Sequence, residues 1–347
     1  MANRGGDVKH VLVVGGGLIG ARHVQAVQAH PGCTLAGLVD PDPGVLKSQS
    51  VRRFADMAQV DVPVDGVILA TPTHLHAAQG IEAAERGWHL LIEKPVAADL
   101  AQAQAVARAV KDTGVGSLVG HHRRYHAPVQ QLKALIAKGA IGTPVTATLI
   151  WAMRKPDAYF QGNWRAAGGS PVMINLVHDI DFLRFVLGDV VATTALRGAG
   201  QRGVERIESG AIALRFETGA TATISFADTT PSPWGFEAAT GENPNIGTTA
   251  QDMMWVMGTR GAVSFPSMTL WSGTDWGTAA VQQPQPRVEN TMAPLDAQLT
   301  HFLEVMEGAT PMIDVADATR TLEIALEIEA QLTPQTTGAT DARRALG

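Results

Sequence analysis

Val11-Leu12-Val13-Val14-Gly15-Gly16-Gly17-Leu18-Ile19-Gly20 decides how the first third of the chain is read. Four apolar residues, three of them β-branched, predict a buried strand. The glycines at 15, 17 and 20 then open a helical stretch from Leu18 to Ala29. In a strand–turn–helix unit the first glycine permits the tight turn, the second lets a pyrophosphate approach the backbone, and the third lets helix and strand pack closely. The pyrophosphate meets the unpaired N–H groups and the positive end of the helix. Gly15, Gly17, Leu18, Ile19 and Gly20 are therefore candidate cofactor-binding residues.

The next strand, Thr34 to Val39, ends in Asp40, where an acid can hydrogen-bond the adenosine ribose hydroxyls. A carboxylate there repels a 2′-phosphate, so NAD is expected, with NADP as the alternative. Arg52 and Arg53 could accommodate that phosphate or could lie on a solvated strand edge. Asp42, between Pro41 and Pro43, reads as turn chemistry. Val67 to Ala70 is a further strand, ending at Thr71-Pro72-Thr73-His74-Leu75-His76. Two histidines without a third or fourth ligand make a poor zinc set, and no metal is expected. A helix follows from Ala77 to Arg86.

Trp88-His89-Leu90-Leu91-Ile92-Glu93-Lys94-Pro95 is a buried strand that stops at Glu-Lys-Pro. Ligands of an open α/β sheet lie just beyond the carboxyl ends of its strands, which delivers Lys94 to that place. Pro95 ends the strand and stiffens the turn. Leu100 to Lys111 reads as a helix with Asp99 at its N-cap, and Val115 to Val119 as a strand ending at Gly120-His121-His122-Arg123-Arg124-Tyr125. Alternating strands and helices predict a doubly wound parallel sheet, a Rossmann-type α/β domain over residues 1–121.

Residues 122–347 are expected to form an α+β domain on an open, mainly antiparallel sheet, serving substrate binding and oligomerisation. A helix (Pro128 to Lys138) precedes an alternating strand, Val145 to Ala152. Pairing Phe216 with Ala220 and Leu214 with Ala222 puts the apolar residues of Gly210 to Ala227 on one face, with Gly219 at the left-handed position of a three-residue loop. Met253 to Val256 and Ala262 to Phe265 supply further strands. Ser170 to Leu187 reads as a buried helix carrying Asn175, His178 and Asp181 along one face. Such a stripe must find partners. It either hydrogen-bonds across the domain interface or faces the cofactor cleft. Asp228 to Ala250, with Trp234, Phe236, Glu237 and Glu242, reads as a long loop that is substrate-facing, in a subunit contact, or disordered. Helices from Pro294 to Glu307 and Ala316 to Leu332 close the chain before a frayed tail.

At 347 residues the chain is long enough for two domains. A net charge of −6 and the lack of a basic run argue against a nucleic-acid partner. One cysteine, Cys33, excludes an intrachain disulfide and an all-cysteine metal site. No apolar window has membrane-spanning length and the N-terminus lacks a signal-peptide core, so a cytoplasmic protein with no membrane partner is expected.

These features together resemble the family of glucose–fructose oxidoreductase, inositol dehydrogenase and rhizopine catabolism protein. The resemblance rests on Gly15/Gly17/Gly20, Ala70-Thr71-Pro72 through His76, Glu93-Lys94-Pro95, Trp164-Arg165, and Gly168-Gly169 leading to His178-Asp179-Ile180-Asp181. It implies hydride transfer between NAD(P) and a secondary alcohol of a sugar, cyclitol or related small-molecule substrate. It also implies a homodimer or homotetramer formed through the C-terminal sheet. Lys94 would contact the substrate hydroxyl and cofactor ribose, and His178 would act as acid/base or orienting partner. Thr71, Pro72, His76, Glu93, His122 and Arg165 join the expected cofactor site. Tyr125, Trp164, Asn175, Asp181 and Trp234 join the expected substrate site. Many members carry an aspartate four residues before the histidine. Here that position is Ile174, which points to a less hydroxylated substrate. Two rival readings are a dehydrogenase of a reduced aromatic diol and a catalytically silent NAD(H) sensor.

Overall fold

The computed structural model describes residues 8–47, 50–160, 170–202, 206–273, 276 and 281–333. Six parallel strands form the first sheet: β1 (Lys9–Val14), β2 (Cys33–Val39), β3 (Arg53–Phe54), β4 (Gly66–Leu69), β5 (His89–Ile92) and β6 (Ser117–Val119). Their spatial order is β3-β2-β1-β4-β5-β6. The order reverses between β1 and β4, and in such sheets the crevice beyond the strand ends at that point receives the ligand. Helices α1 (Leu18–Ala29), α2 (Thr73–Glu85) and α3 (Leu100–Thr113) connect the strands. Asp99 caps α3 by accepting Gln102 N–H at 2.8 Å, as the sequence predicts. Helix α2 begins at Thr73 rather than Ala77, so the expected loop of Thr71 to His76 is mostly its first turn.

β1 is buried on both faces. Val11 and Val13 pack on one side and Leu12 and Val14 on the other. The layer beside α1 is completed from far along the sequence by α7 (Pro294–Met306), whose Leu299 and Phe302 lie in the same core as Val11 and Val13. The last helix, α8 (Val315–Leu332), serves two cores. Val315, Ala318 and Leu322 belong to the other side of the first sheet, while Ile324, Ala325, Ile328 and Leu332 pack under the second.

After a helical turn (His122–Tyr125) and α4 (Ala127–Ala137), β7 (Pro144–Ala152) enters the second sheet. A π-helical turn, Val172–Leu176, leads into α5 (Val177–Leu187), with Ser170 Oγ accepting Met173 N–H and Gly188 ending the helix at φ +102°. Strands β8 (Val190–Arg197), β9 (Ser209–Phe216), β10 (Thr221–Ala227), β11 (Met254–Gly258), β12 (Gly261–Phe265), β13 (Thr269–Ser272) and β14 (Val281–Pro284) complete a sheet ordered β14-β13-β12-β11-β7-β10-β9-β8. All its pairings are antiparallel except β7 with β10. The expected hairpin register holds. Leu214 pairs with Ala222, Phe216 N–H donates to Ala220 O, and Gly219 has φ +87°. The segment from 228 to 250 is not structureless, since it carries the short helix α6 (Phe236–Thr240).

A buried ionic knot ties the two sheets together. Arg124 grips Asp181 with Nε and Nη2 at 2.8 and 2.6 Å, and also bonds Asp317 of α8 at 2.9 Å. Arg184 of α5 bonds Thr321 at 2.6 Å and Asp317 at 2.8 Å. Burial alone would raise the Asp317 carboxyl, but Arg124 and Arg184 pull it from 3.8 to about 2. Asp317→Asn is expected to cost about 2 kcal/mol of unfolding free energy at neutral pH, read by urea titration. The folded-state depression makes this contribution complete above about pH 4 and lost as pH falls towards 2. Wild type and variant should therefore converge at acid pH.

Candidate active site

Everything the sequence marks as chemistry at a strand end arrives at one edge of the first sheet, because parallel strands present their carboxyl ends together. The glycines divide as their spacing predicts. Gly15 has φ +91°, and a Cβ there would sit 2.7 Å from Ala70 O. A Cβ on Gly20 would sit 1.9 Å from Gly15 O, so this glycine sets the helix–strand approach. Gly17 has ordinary φ (−62°) and no atom within 4 Å of its Cβ position. It stands at the N-terminus of α1, where neither a capping side chain nor an acid occupies the first turn. Leu18 beside it is 88% exposed. A cavity of about 610 Å³ runs from Gly15 and Gly17 past Asp40 to Thr71 and Pro72. Asp40 Oδ2 accepts Gly16 N–H at 2.7 Å and Oδ1 accepts Asp42 N–H at 2.9 Å, leaving a second lone pair on each oxygen for ribose hydroxyls. Arg53, the alternative phosphate partner, instead bonds Val45 O and Leu46 O at 2.6 and 2.5 Å. Open space over Gly17, a helix N-terminus with no side-chain cap and a carboxylate at the ribose position fit NAD.

At the end of β5, Glu93 is buried and accepts from His23 Nε2 of α1 at 2.8 Å. Burial would raise its carboxyl, but His23, His122 and Lys94 bring it down to about 2. A Cβ on Gly120 would lie 2.7 Å from Glu93 Oε2, so the strand-ending glycine of β6 makes room for this acid. Lys94 Nζ donates to Ile174 O at 3.1 Å. The position where relatives of the resembled family were expected to place an aspartate thus contributes a main-chain oxygen, presented by the π-helical turn. Turns of this kind recur at functional sites because they displace carbonyls from the regular ladder. Burial, and secondarily Arg123, lowers the Lys94 ammonium below the usual lysine range, against opposing Glu93, Glu242 and Glu237.

The histidines have separate tasks. His76 is buried, with Nε2 at 2.8 Å from Thr71 O and Nδ1 at 2.9 Å from Pro95 O. It ties the segments after β4 and β5 together, where a cofactor contact was expected. His178 packs its ring edge-on against His121 and His122, with centroids 5.8 and 5.2 Å apart. Burial, then Lys94 and Arg123, hold it well below the usual histidine range, so it is neutral.

The polar face of the sequence-predicted helix divides three ways. Asn175 accepts from Lys155 Nζ at 2.6 Å and donates to Glu237 at 3.2 Å. Asp181 belongs to the Arg124 knot and is 1% exposed, which is the interface role rather than the cleft role. Only His178 joins Lys94. Tyr125 OH bonds His301 Nδ1 of α7 at 2.8 Å, while the Trp234 side chain is 40% exposed. Trp164, Arg165, Gly168, Gly169 and the C-terminal tail lie outside the described residues.

Sequence reading gave Arg123 no role and did not join Asp179, Glu237 and Glu242 to it. Its buried guanidinium meets Asp179 at 2.9 Å, Glu237 at 3.0 Å and Glu242 at 3.4 Å, and lies 4.1 Å over the Phe236 ring. Burial and the neighbouring glutamates raise Asp179 to about 7 despite Arg123. The available signal was the adjacent pair Arg123-Arg124 directly after a strand, where two solvated side chains are hard to place.

The model described as "Oxidoreductase family, NAD-binding Rossmann fold" matches residues 9–121, and the GFO/IDH/MocA C-terminal domain model matches residues 129–264. Among curated proteins, 1,5-anhydro-D-fructose reductase of Ensifer adhaerens is 37% identical over 196 residues, 54% of this chain but only 58% of the relative. The scyllo-inositol 2-dehydrogenase (NAD(+)) of Bacillus subtilis is 26% identical over 340 residues, covering 90% and 91% of the two chains. In fold, an oxidoreductase from Agrobacterium radiobacter, solved with NAD+, L-tartaric acid and magnesium, superposes with a TM-score of 0.76 at 22% identity over 94% of this chain and 96% of its own.

The cradle can be tested apart from stability. Gly17→Val should fold with a near-normal melting midpoint yet weaken NAD binding by about tenfold or more in calorimetry, because only the ligand needs that space. Gly20→Ala should fail earlier, in folding. Both domain models, the shared fold and a cradle shaped for NAD place the chain in the GFO/IDH/MocA oxidoreductase family, with an NAD-binding Rossmann fold as its first domain.

Proposed function

We propose that the chain is an NAD-dependent dehydrogenase acting on a CH–OH group of a sugar, cyclitol or related cyclic alcohol. The observation that carries this reading is Lys94: a half-buried amine at the end of β5, held by Ile174 O, lowered below the usual lysine range and set beside a neutral His178. Bound NAD supplies the hydride acceptor or donor. The chain's residues bind, orient and move the proton. Lys94 as amine takes the hydroxyl proton during oxidation and as ammonium returns it during reduction. His178, being neutral, orients the same hydroxyl through the ring nitrogen that is not buried.

The names of the relatives support a ring alcohol as substrate, one an anhydro sugar reductase and one an inositol dehydrogenase. Ile174 offers its main chain to Lys94 and no polar side chain to a further hydroxyl, which favours a ring with fewer of them. A panel of sugars, anhydro sugars, cyclitols and cyclic diols with NAD and with NADP, followed at the reduced-nicotinamide absorbance, tests this. Turnover with NAD on ring alcohols is the expected result. Tight NAD binding with no turnover anywhere on the panel would select a sensor instead. Lys94→Ala should reduce kcat by about 10²–10⁴ while NAD binding persists. Because burial lowers the lysine, the wild-type oxidative rate should rise with pH and level off below the ordinary lysine range.

We also infer a homodimer or homotetramer through the open face of the second sheet. That face carries Thr146, Thr148, Thr221 and Thr223, whose hydroxyls pair at 3.1 and 3.3 Å, with Leu196 70% exposed and Trp271 37% exposed. A flat face this short of charge, with Arg215 opposite Thr221, suits contact with its own copy. Thr223→Arg should shift the mass seen by light scattering towards monomer.

A further inference from the structure

Among the described residues of the cleft, His178 and His122 each have an open ring nitrogen, and they differ in what stands behind them. After burial, His178 has only cations and histidines acting on it, Lys94 and Arg123 foremost, and all oppose its protonation. His122 has a carboxylate. Its Nε2 lies 2.7 Å from Glu242 Oε1. Burial would raise Glu242, but Arg123, His122 and His126 hold it well below the usual carboxylate range. An ionised carboxylate only accepts hydrogen bonds. His122 Nε2 therefore carries the hydrogen, and Nδ1 keeps its lone pair. Among the described residues nothing bonds that Nδ1, and it is not one of the buried unpartnered atoms. The side chain is 21% exposed and the ring lies against His178. A carboxylate behind an imidazole fixes the tautomer and stabilises the imidazolium.

We propose that His122, backed by Glu242, is the group through which the proton released at Lys94 leaves the cleft. This rests on the dehydrogenase reading and adds a proton path to it. During oxidation the Lys94 amine takes the substrate's hydroxyl proton and becomes ammonium. The ammonium passes one proton to His122 Nδ1, across bridging water, and returns to amine. The imidazolium, paired with Glu242, gives that proton to solvent and returns to neutral. The groups around His122 are Glu242 from the α6 loop, Glu93 and Lys94 just beyond β5, His178 from α5, and Arg123 and His126 beside it in the chain.

The same carboxylate with His122 and His126 also has metal-like spacing, the three atoms lying within 4.8 Å of one another. The hydrogens argue against an ion. Asn290 Oδ1 accepts Ala127 N–H at 2.7 Å, so its Nδ2 faces His126 Nδ1 at 3.4 Å. His126 then carries its hydrogen on Nε2, which points at Glu242 3.5 Å away instead of offering a lone pair.

The test compares wild type, His122→Ala and Glu242→Gln during oxidation of the alcohol that the panel selects, at low and high imidazole concentration. Both variants should lose kcat by about tenfold or more. KM should stay within about twofold, since the group acts after binding. Imidazole should restore His122→Ala towards wild type. A loss that imidazole cannot restore, a change confined to KM, or unchanged kcat would overturn the relay. A second measurement needs no substrate: nitrogen-15 spectra of the NAD-bound chain should show His122 as the Nε2–H tautomer. The opposite tautomer, or stoichiometric binding of added Zn²⁺ at this ring, overturns the proposal. With the tautomer as expected, a wild type silent on the whole panel overturns the dehydrogenase reading and the relay together. An active wild type with unaffected variants overturns the relay alone.

Discussion

Two adjacent arginines, buried in different directions, are the constraint on which the rest of the molecule depends. A guanidinium taken out of water must meet carboxylates or it is strongly destabilising. Arg123 and Arg124 lie in the short turn after β6, so their acids have to be brought to them. Helix α5 supplies Asp179 to the first and Asp181 to the second. The α6 loop supplies Glu237 and Glu242, and α8 supplies Asp317. Once those pairs are made, the turn carrying His122 and the helix carrying His178 have little freedom to move apart. The imidazole cluster beside Lys94 is a geometric by-product of charge pairing.

That arrangement explains why the segment from 228 to 250 is ordered although its composition suggests a loop. Its acids meet cations already in place, and Trp151 donates its indole N–H to Glu237 at 3.2 Å from beneath. Phe236 adds a stacked contact with Phe265. The loop forms part of the site's wall because that is where the unpaired positive charge was.

What could be read in advance was whatever depends on near neighbours in sequence. The cradle glycines, the Asp99 cap, the Gly219 hairpin and the delivery of Lys94 to a strand end all follow from local geometry. The dispersal of Asn175, His178 and Asp181 did not, because a π-helical turn before α5 alters the periodicity on which a shared face relies. Nor did the buried ion pairs, whose partners lie far apart in sequence and carry no local pattern. His76 shows the same limit from the other side. Its position beside the cofactor segment was legible, but its two carbonyl partners, and so its bracing role, were not.

The return of α7 to the first sheet bears on how the chain is made. Leu299 and Phe302 lie in the core that Val11 and Val13 of β1 help to form. α8 then supplies residues to the opposite face and to the second core. A ribosome delivers β1 long before these helices, so the nucleotide-binding layer, covered on one face by α1 alone, stays incomplete until they emerge. Domain-by-domain folding from the N-terminus, the usual course for long chains, leaves this layer unfinished until α7 and α8 join it. The two halves complete each other.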